Sequence, residues 1–548
     1  MRRIFVMVVI LSLALTSICL AAKVWQNPIK PHEKVILPKY VPNKIVVRFD
    51  PQTLAAVNHK TASHGQLGVP ALDHLGGRLG VASVIPQFPG AKGKRVRGKV
   101  FDLSGWHVIK FAGKVDVQKA VSAYKALPGV IDAHTVSFLK AYKKPAEQFY
   151  NFQWYLSQIE ADRAWDIQSG RTDIIIAVLD SGVRYFAADM AGGEPNPSGA
   201  PNPLYAPEPY PAEKWFEING NIWINATERG GKASLDDDNN GYTDDWVGWD
   251  FVDGNTSGLP GLEGDDYNSP DNDPRDFNGH GTQVASIAGA ITNNNECGAG
   301  IAGGWWPTPG VRIMPLRIAY SVLSMGFFEV AIADTALAAS ALVYAADNGA
   351  RIAVFSYGAS ENDGTMDAAL EYFLNGGGLF FAAAGNGASD QAPYPQSYPH
   401  PNVIVVGGTD QYDTPWYDFL SGGTNYGDWV DISAPAVDIC TLTHLNTDPS
   451  TDYFLDPYFS AVTGTSFAAP MVAGVAALMW SKNPKLTADQ IRSILLDPAN
   501  CDVISDNAFG FPPKSGLGAG RVNAYKAVSA VPSSINQPLA AVYLLLLD

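Results

Sequence analysis

Gly464-Thr465-Ser466-Phe467-Ala468-Ala469-Pro470 runs without a break into Met471-Val472-Ala473-Gly474-Val475-Ala476-Ala477-Leu478-Met479-Trp480. Small residues flank one hydroxyl, and the apolar run behind it reads as a helix buried on all sides. A helix start leaves unpaired N–H groups and a positive dipole end beside Ser466. Gly464 lets a ligand approach the backbone with no Cβ in the way, and Pro470 falls near the first turn, where few intrahelical bonds are lost. Ser466 is therefore a candidate nucleophile, although the same Gly-Thr-Ser also fits an ordinary N-cap.

Two other segments give that serine partners. Asp180 ends the strand-like run Ile174-Ile175-Ile176-Ala177-Val178-Leu179 and is followed by Ser181-Gly182-Val183. His280 sits in Asn278-Gly279-His280-Gly281-Thr282, directly before a helical stretch from Gln283 to Ala290. An acid at the end of an apolar strand and two hydroxyl- or imidazole-bearing helix starts can meet at the carboxyl edge of a parallel sheet. Asp, then His, then Ser is one of the chain orders in which the catalytic triad occurs.

At these residues the sequence resembles the subtilisin-like serine proteases, the subtilases. The matching stretches are Ala177 to Val183, Asn278 to Ala285 and Gly464 to Pro470, and weaker matches extend the resemblance over about residues 40 to 530. The resemblance implies an α/β fold: a three-layer subtilisin-like domain with a mainly parallel sheet and helices on both faces, preceded by a small α+β propeptide domain. It assigns Asp180, His280 and Ser466 as catalytic residues.

Composition agrees with an exported globular chain. Its 548 residues, 46% of them hydrophobic, can bury a large core, which excludes disorder as a whole. Met1-Arg2-Arg3, the largely apolar run Ile4 to Leu15 and Cys19-Leu20-Ala21-Ala22 read as a secretory signal peptide, residues 1–22, cleaved after Ala22. That leaves Cys297, Cys440 and Cys501, so at most one internal bridge. The apolar tail, residues 531–548 with the run Leu539 to Leu547, is too short to span a bilayer, which needs about 20 residues.

Charge is divided unevenly. Of 38 basic and 54 acidic residues, 22 and 6 lie in residues 1–144, leaving 16 and 48 in the remainder, or +16 against −32. The basic residues are scattered without an aromatic platform, which argues against nucleic acid as a partner. Opposite charges instead favour binding of the two parts to each other. Pro42 to Phe49 and Trp106 to Phe111 alternate like strands, Val115 to Leu127 has helical periodicity, and Pro128 to Ala133 turns into another strand. Residues 23–145 thus resemble the inhibitory propeptide of subtilases, with a permanent accessory domain as the alternative. The catalytic domain is expected over residues 146–530, with maturation near residues 140 to 150, where Lys143-Lys144-Pro145 marks a joint.

An acid-rich insertion, Met190 to Asp276, carries Asp236-Asp237-Asp238-Asn239-Asn240-Gly241-Tyr242-Thr243-Asp244-Asp245. Oxygen ligands at alternating positions with a glycine at the turn follow calcium-loop logic, here through Asp236, Asp238, Asn240 and Asp245. The twelfth position holds Val247 rather than a bidentate glutamate, so this is no EF-hand. It resembles the Asp-rich calcium loops of some subtilases, with an acidic solvated turn as the alternative. By resemblance, Asp189 in Ala187-Ala188-Asp189-Met190 and Asn294 in Asn293-Asn294-Asn295 belong to a further calcium site. Structural calcium is the implied cofactor; no organic cofactor is implied.

Strand-like and helical stretches then alternate: a strand Arg312 to Ile318, a long helix Phe327 to Asn348, and strands Arg351 to Phe355 and Asn402 to Gly407. Ser356-Tyr357-Gly358 corresponds to the subtilase segment that pairs with substrate backbone, with Tyr357 in place of the usual Leu. Gly378 to Gly387 sets Asn386 between glycines after a buried strand, and the resemblance gives its amide the oxyanion role. Gly358, Ala384 and Gly385 imply an apolar first subsite with room for a large side chain. The reading is a secreted serine endopeptidase acting on protein or peptide substrates, with its own propeptide as a further partner. A processing protease preferring basic residues and a catalytically idle calcium-dependent binding protein are the alternatives.

Overall fold

The computed structural model describes residues 40–90, 94–96, 99–138, 144–185, 187–191, 220–254, 259–262, 264–324, 328–419, 422–443, 459–508 and 510–532. The expected signal peptide and the C-terminal run Leu539 to Leu547 lie outside these residues, as does part of the acid-rich insertion. The chain divides into two compact units, residues 1–141 and 142–548.

In the first unit, β1 (Tyr40–Phe49), β2 (Val81–Pro86), β3 (Trp106–Phe111) and β4 (Val130–Ser137) form an antiparallel sheet in the order β2-β3-β1-β4. Alternation along β1 buries Ile45, Val47 and Phe49 and leaves the residues between them more open, the period-2 pattern of a one-faced sheet. Helices α1 (Pro51–Ala56), α2 (Pro70–Leu79) and α3 (Val117–Lys125) accompany the sheet, and Leu72, Ala120 and Tyr124 join the strand residues in one core. Asp116 caps α3 by accepting from the N–H groups of Gln118 and Lys119.

The second unit is built on a nine-stranded sheet. In chain order its strands are β5 (Ile175–Asp180), β6 (Trp249–Asp250), β7 (Arg312–Arg317), β10 (Ile352–Phe355), β11 (Leu379–Ala383), β12 (Val403–Thr409), β13 (Ile432–Pro435), β14 (Cys501–Asp502) and β15 (Arg521–Val522); β8 (Ala319–Ser324) and β9 (Phe328–Ala333) form a separate hairpin. The order is β14-β15-β13-β12-β11-β10-β5-β7-β6, parallel throughout except where β14 meets β15. Such strands are buried on both faces and therefore lack polar alternation. Ile176 and Val178 face one core while Ala177 and Leu179 face another, and Phe381 and Phe380 divide the same way.

Each core is closed by helices. On one face lie α4 (His280–Gly289) and α7 (Thr465–Lys482), and on the other α5 (Thr335–Asp347) and α6 (Gly364–Asn375). Seventeen consecutive residues of α7, Thr465 to Ser481, are buried, which explains an apolar run with no polar face. These layers are the expected three-layer α/β architecture.

One expectation needs correction. Residues 328–333 are not the start of a long helix but a strand pairing antiparallel with β8, and the helix begins only at Thr335, where Asp334 accepts from the N–H groups of Ala336 and Leu337. Val330 and Ile332 are β-branched and alternate with Glu329 and Ala331, a pattern that pairs well once a partner strand is available. Within the limit of at most one bridge that the sequence sets, all three cysteines are free thiols, with Cys297 and Cys501 buried. Among the described residues, no helix is long and apolar enough to cross a membrane.

Candidate active site

β5 and α4 bring Asp180 and His280 together. Asp180 ends a fully hydrogen-bonded central strand, and His280 is the first residue of α4, so each side chain projects past the carboxyl edge of the sheet. His280 Nδ1 lies 2.7 Å from Asp180 Oδ1. The approach depends on Gly281: a Cβ there would stand 2.0 Å from the Gly182 carbonyl oxygen. Asp276 ties the two elements, accepting from Ser181 Oγ at 2.9 Å, from the Gly279 N–H at 2.8 Å and from Thr282 Oγ1 at 2.6 Å. Nothing about Asp276 in the sequence, beyond its place four residues before His280, marked it.

Burial opposes a charge on His280, but the Asp180 carboxylate beside it, their hydrogen bond and Asp276 outweigh burial, so the imidazole is more basic than usual. Its Nδ1–H is committed to Asp180, which leaves Nε2 as the free ring nitrogen. Asp180 Oδ1 also accepts from the Ser181 N–H at 2.8 Å and from the Tyr357 hydroxyl at 3.1 Å, whereas Oδ2 is buried without a hydrogen-bond partner among the described residues.

Ser466 opens α7 as its second residue, and the ring of Phe467 packs on His280 with centroids 5.6 Å apart. Pro470 has no N–H to offer the Ser466 carbonyl one turn back, and Ser356 Oγ donates to that oxygen instead, at 3.2 Å. The proline thus frees an acceptor that clamps the serine turn to the strand end carrying Ser356. Ser466 Oγ makes no hydrogen bond among the described residues; in unliganded enzymes such catalytic contacts often tighten only with substrate bound.

Asn386 follows β11 and stands against the same turn. Its Oδ1 accepts from the Thr465 N–H and from Thr465 Oγ1, both at 2.9 Å, and Thr465 Oγ1 accepts in turn from the Gly385 N–H at 3.0 Å. With Oδ1 committed to Thr465, Nδ2 is the amide's donor. Asn425 holds the loop from behind, accepting from the Gly387 and Ser389 N–H groups and donating to the Ala384 carbonyl. Gly385 has φ +101, and a Cβ there would lie 2.5 Å from Asn425 Nδ2. Of the expected subsite residues, Ser356 meets the Ser466 carbonyl and Tyr357 meets Asp180, a Cβ at Gly358 would stand 3.1 Å from Pro393, and Ala384 is fully buried in the core.

The expected metal ligands fall in two places. Asp189 is buried and held by Asn294 Nδ2 at 2.9 Å and the Gly298 N–H at 3.1 Å, with no basic side chain paired to it among the described residues. Burial pushes its carboxyl up to about 8. Glu147 joins it, accepting from the Asn293 and Asn294 N–H groups while its other oxygen is buried and has no hydrogen-bond partner among the described residues. A pair of buried carboxylates with an orphaned oxygen fits a hard cation.

In the Asp-rich loop, carboxylate oxygens of Glu228, Asp236 and Asp238 lie within 4.8 Å of one another. Glu228 is buried and accepts from the N–H groups of Asp237, Asp238 and Asp244, so it organises the loop from eight residues upstream. Asn240 Nδ2 donates to Asp245 at 2.8 Å, and Asp245 accepts from Tyr344 at 2.5 Å and from Asn225 at 2.8 Å, which commits Asp245 to the loop's anchorage. The donor set fits calcium through Glu228, Asp236 and Asp238.

A mainly parallel three-layer fold with an Asp–His pair and a helix-borne serine at its edge defines a subtilisin-like serine protease. Residues 171–512 match the family model described as the subtilase family. The chain is 29% identical over 491 residues to the thermophilic serine proteinase of Bacillus sp. (strain AK1), covering 89% of this chain and 88% of that protein. It is 30% identical over 385 residues to thermitase of Thermoactinomyces vulgaris, covering 70% of this chain and 99% of that one. Among solved structures, a protease from Pseudoalteromonas arctica aligns with a TM-score of 0.50 at 22% identity, covering 71% of this chain and all of that one. The chain belongs to the subtilase family and is a serine endopeptidase.

Proposed function

We propose that the protein is an exported endopeptidase in which Asp180, His280 and Ser466 form the triad and Asn386, with the Ser466 N–H, binds the oxyanion. The 2.7 Å contact between His280 Nδ1 and Asp180 Oδ1, at the sheet edge from which the Ser466 helix starts, carries the reading. As Ser466 Oγ attacks a peptide carbonyl, His280 Nε2 takes its proton and Asp180 steadies the imidazolium. The oxyanion of the tetrahedral intermediate meets Asn386 Nδ2, whose direction is fixed by the two Thr465 bonds to Oδ1. His280 returns the proton to the leaving amine, and water, activated by the same imidazole, hydrolyses the acyl-enzyme.

Substrate backbone pairs along Ser356 to Gly358, and a large apolar residue precedes the scissile bond. Calcium binds at Asp189, Asn294 and Glu147 and at Glu228, Asp236 and Asp238, where it supplies positive charge that these carboxylates lack and holds the loops in place. Residues 23–145 act as an inhibitory propeptide, a reading supported by the core of residues 45–133 and by a charge opposite to that of the rest of the chain. Digestion of a peptide library by the mature protein tests the specificity. Product ends rich in Phe, Tyr, Leu and Met before the cut support it, and ends rich in Lys or Arg overturn it.

A further inference from the structure

The 356–358 segment carries a side chain that does more than line a subsite. Tyr357 follows β10, and its backbone is fixed because Gln396 Nε2 donates to its carbonyl at 3.0 Å. Its ring packs on Phe355 with centroids 5.8 Å apart and faces the His280 imidazole at 6.0 Å and 58°. Its hydroxyl reaches Asp180 Oδ1 at 3.1 Å, the same oxygen that accepts from His280 Nδ1. A leucine at this position would have no donor to offer.

We propose that Tyr357 is a positioning residue of the triad, whose phenol shares Asp180 with His280 and thereby sets both the orientation of the carboxylate and the basicity of the imidazole. The inference rests on the triad reading above and extends it. One oxygen of Asp180 takes three donors, from Ser181, His280 and Tyr357, while Oδ2 takes none among the described residues. Charge drawn toward the phenol is charge not offered to the imidazolium, so the tyrosine tempers the rise in His280 basicity that Asp180 produces. The phenol stays a donor at working pH, because burial and the adjacent Asp180 hold its own ionisation far above the usual range.

The other groups around this pair leave the role to Tyr357. Asp276 faces His280 and Tyr357, but its carboxylate is filled by Ser181, Gly279 and Thr282. Arg317, the cation that acts on Tyr357, is committed to Asp250 and Asp265. Glu329 accepts from Ser321 Oγ at 2.7 Å and from Asn278, two residues before His280, at 3.2 Å. Because Tyr357 belongs to the strand end on which substrate is proposed to pair, the same side chain links substrate seating to the acid–base pair.

The test compares the mature wild-type protein with Tyr357→Phe and Tyr357→Leu by the pH dependence of kcat/KM on one peptide substrate. Both variants are expected to move the acidic limb to higher pH by about half a unit to one unit, with kcat at the plateau falling roughly three- to ten-fold and KM nearly unchanged. An unmoved limb in either folded variant, or a change confined to KM, overturns the proposal and leaves Tyr357 a subsite wall. Fluorophosphonate labelling of wild-type Ser466 in the same series separates the two readings. Labelling with an unmoved limb defeats only the tyrosine inference, whereas no labelling of the wild type defeats the triad on which it stands.

Discussion

The carboxylates of the catalytic unit live in two kinds of surroundings. Asp180 and Asp276 at the sheet edge are met by donors of the chain itself: backbone N–H groups, hydroxyls and the His280 ring. Asp189, Glu147, Glu228, Asp236 and Asp238 are gathered with no basic side chain paired to any of them among the described residues. A third acid pair shows the contrast from the other side, since Asp250 and Asp265, equally buried, share the Arg317 guanidinium, which also lies over the Phe277 ring at 5.0 Å. At the sheet edge the chain's own donors hold the carboxylates beside an imidazole, whereas at the two candidate calcium sites backbone and amide donors gather several carboxylates, whose charge a cation would balance.

That difference predicts which perturbations touch chemistry and which touch stability. The largest effect is expected from Ser466→Ala, which should abolish proteolysis with no loss of melting temperature. In subtilisin, the reference case for the family, removing the serine costs about 2 × 10⁶ in kcat. A variant that keeps more than a thousandth of wild-type activity would break the comparison.

Next comes Arg317→Ala, which strands two buried carboxylates. A loss of about 3–5 kcal/mol in unfolding free energy is expected, read by denaturant titration of the mature protein. A loss below about 1 kcal/mol would mean that the acids find other partners, so that buried acids here tolerate isolation.

Asn386→Ala tests the edge more gently. The corresponding asparagine of subtilisin contributes about 2.7–4 kcal/mol to transition-state stabilisation, and a fall in kcat of similar size with little change in KM is expected here. A change confined to KM would assign Asn386 to substrate binding alone.

The smallest effect sharpens the contrast. Chelation should lower the melting temperature while leaving the intrinsic chemistry of the folded protein unchanged; calcium at a hundred times its Kd contributes about 2.7 kcal/mol. Glu228→Gln should reduce the calcium-dependent part of that shift, and identical melting curves with and without chelator would count against both sites.

The three motif segments were legible because each signal is local. A buried strand ending in Asp180, glycines around His280 and the small residues around Ser466 each state their own geometry. What escaped the sequence depended on partners far along the chain. Phe328 to Ala333 joined the helix reading because its apolar residues continue those of α5, and only pairing with β8 reveals the strand. Glu228 and Glu147 lie outside any spacing motif and reach the acid sites through backbone N–H groups folded toward them. Arg317 read as one residue of an apolar strand, since its acids arrive from the insertion. Tyr357 read as a departure in subsite shape, and nothing in Ser356-Tyr357-Gly358 tells which way a phenol points.

The most direct test of the account is fluorophosphonate labelling of the propeptide-free protein, with the modified residue located by peptide mass spectrometry. A single adduct on Ser466, lost in His280→Ala, is the predicted result. Adduct formation elsewhere, or none on Ser466 in folded wild-type protein, would contradict the claim that Asp180, His280 and Ser466 act as one unit.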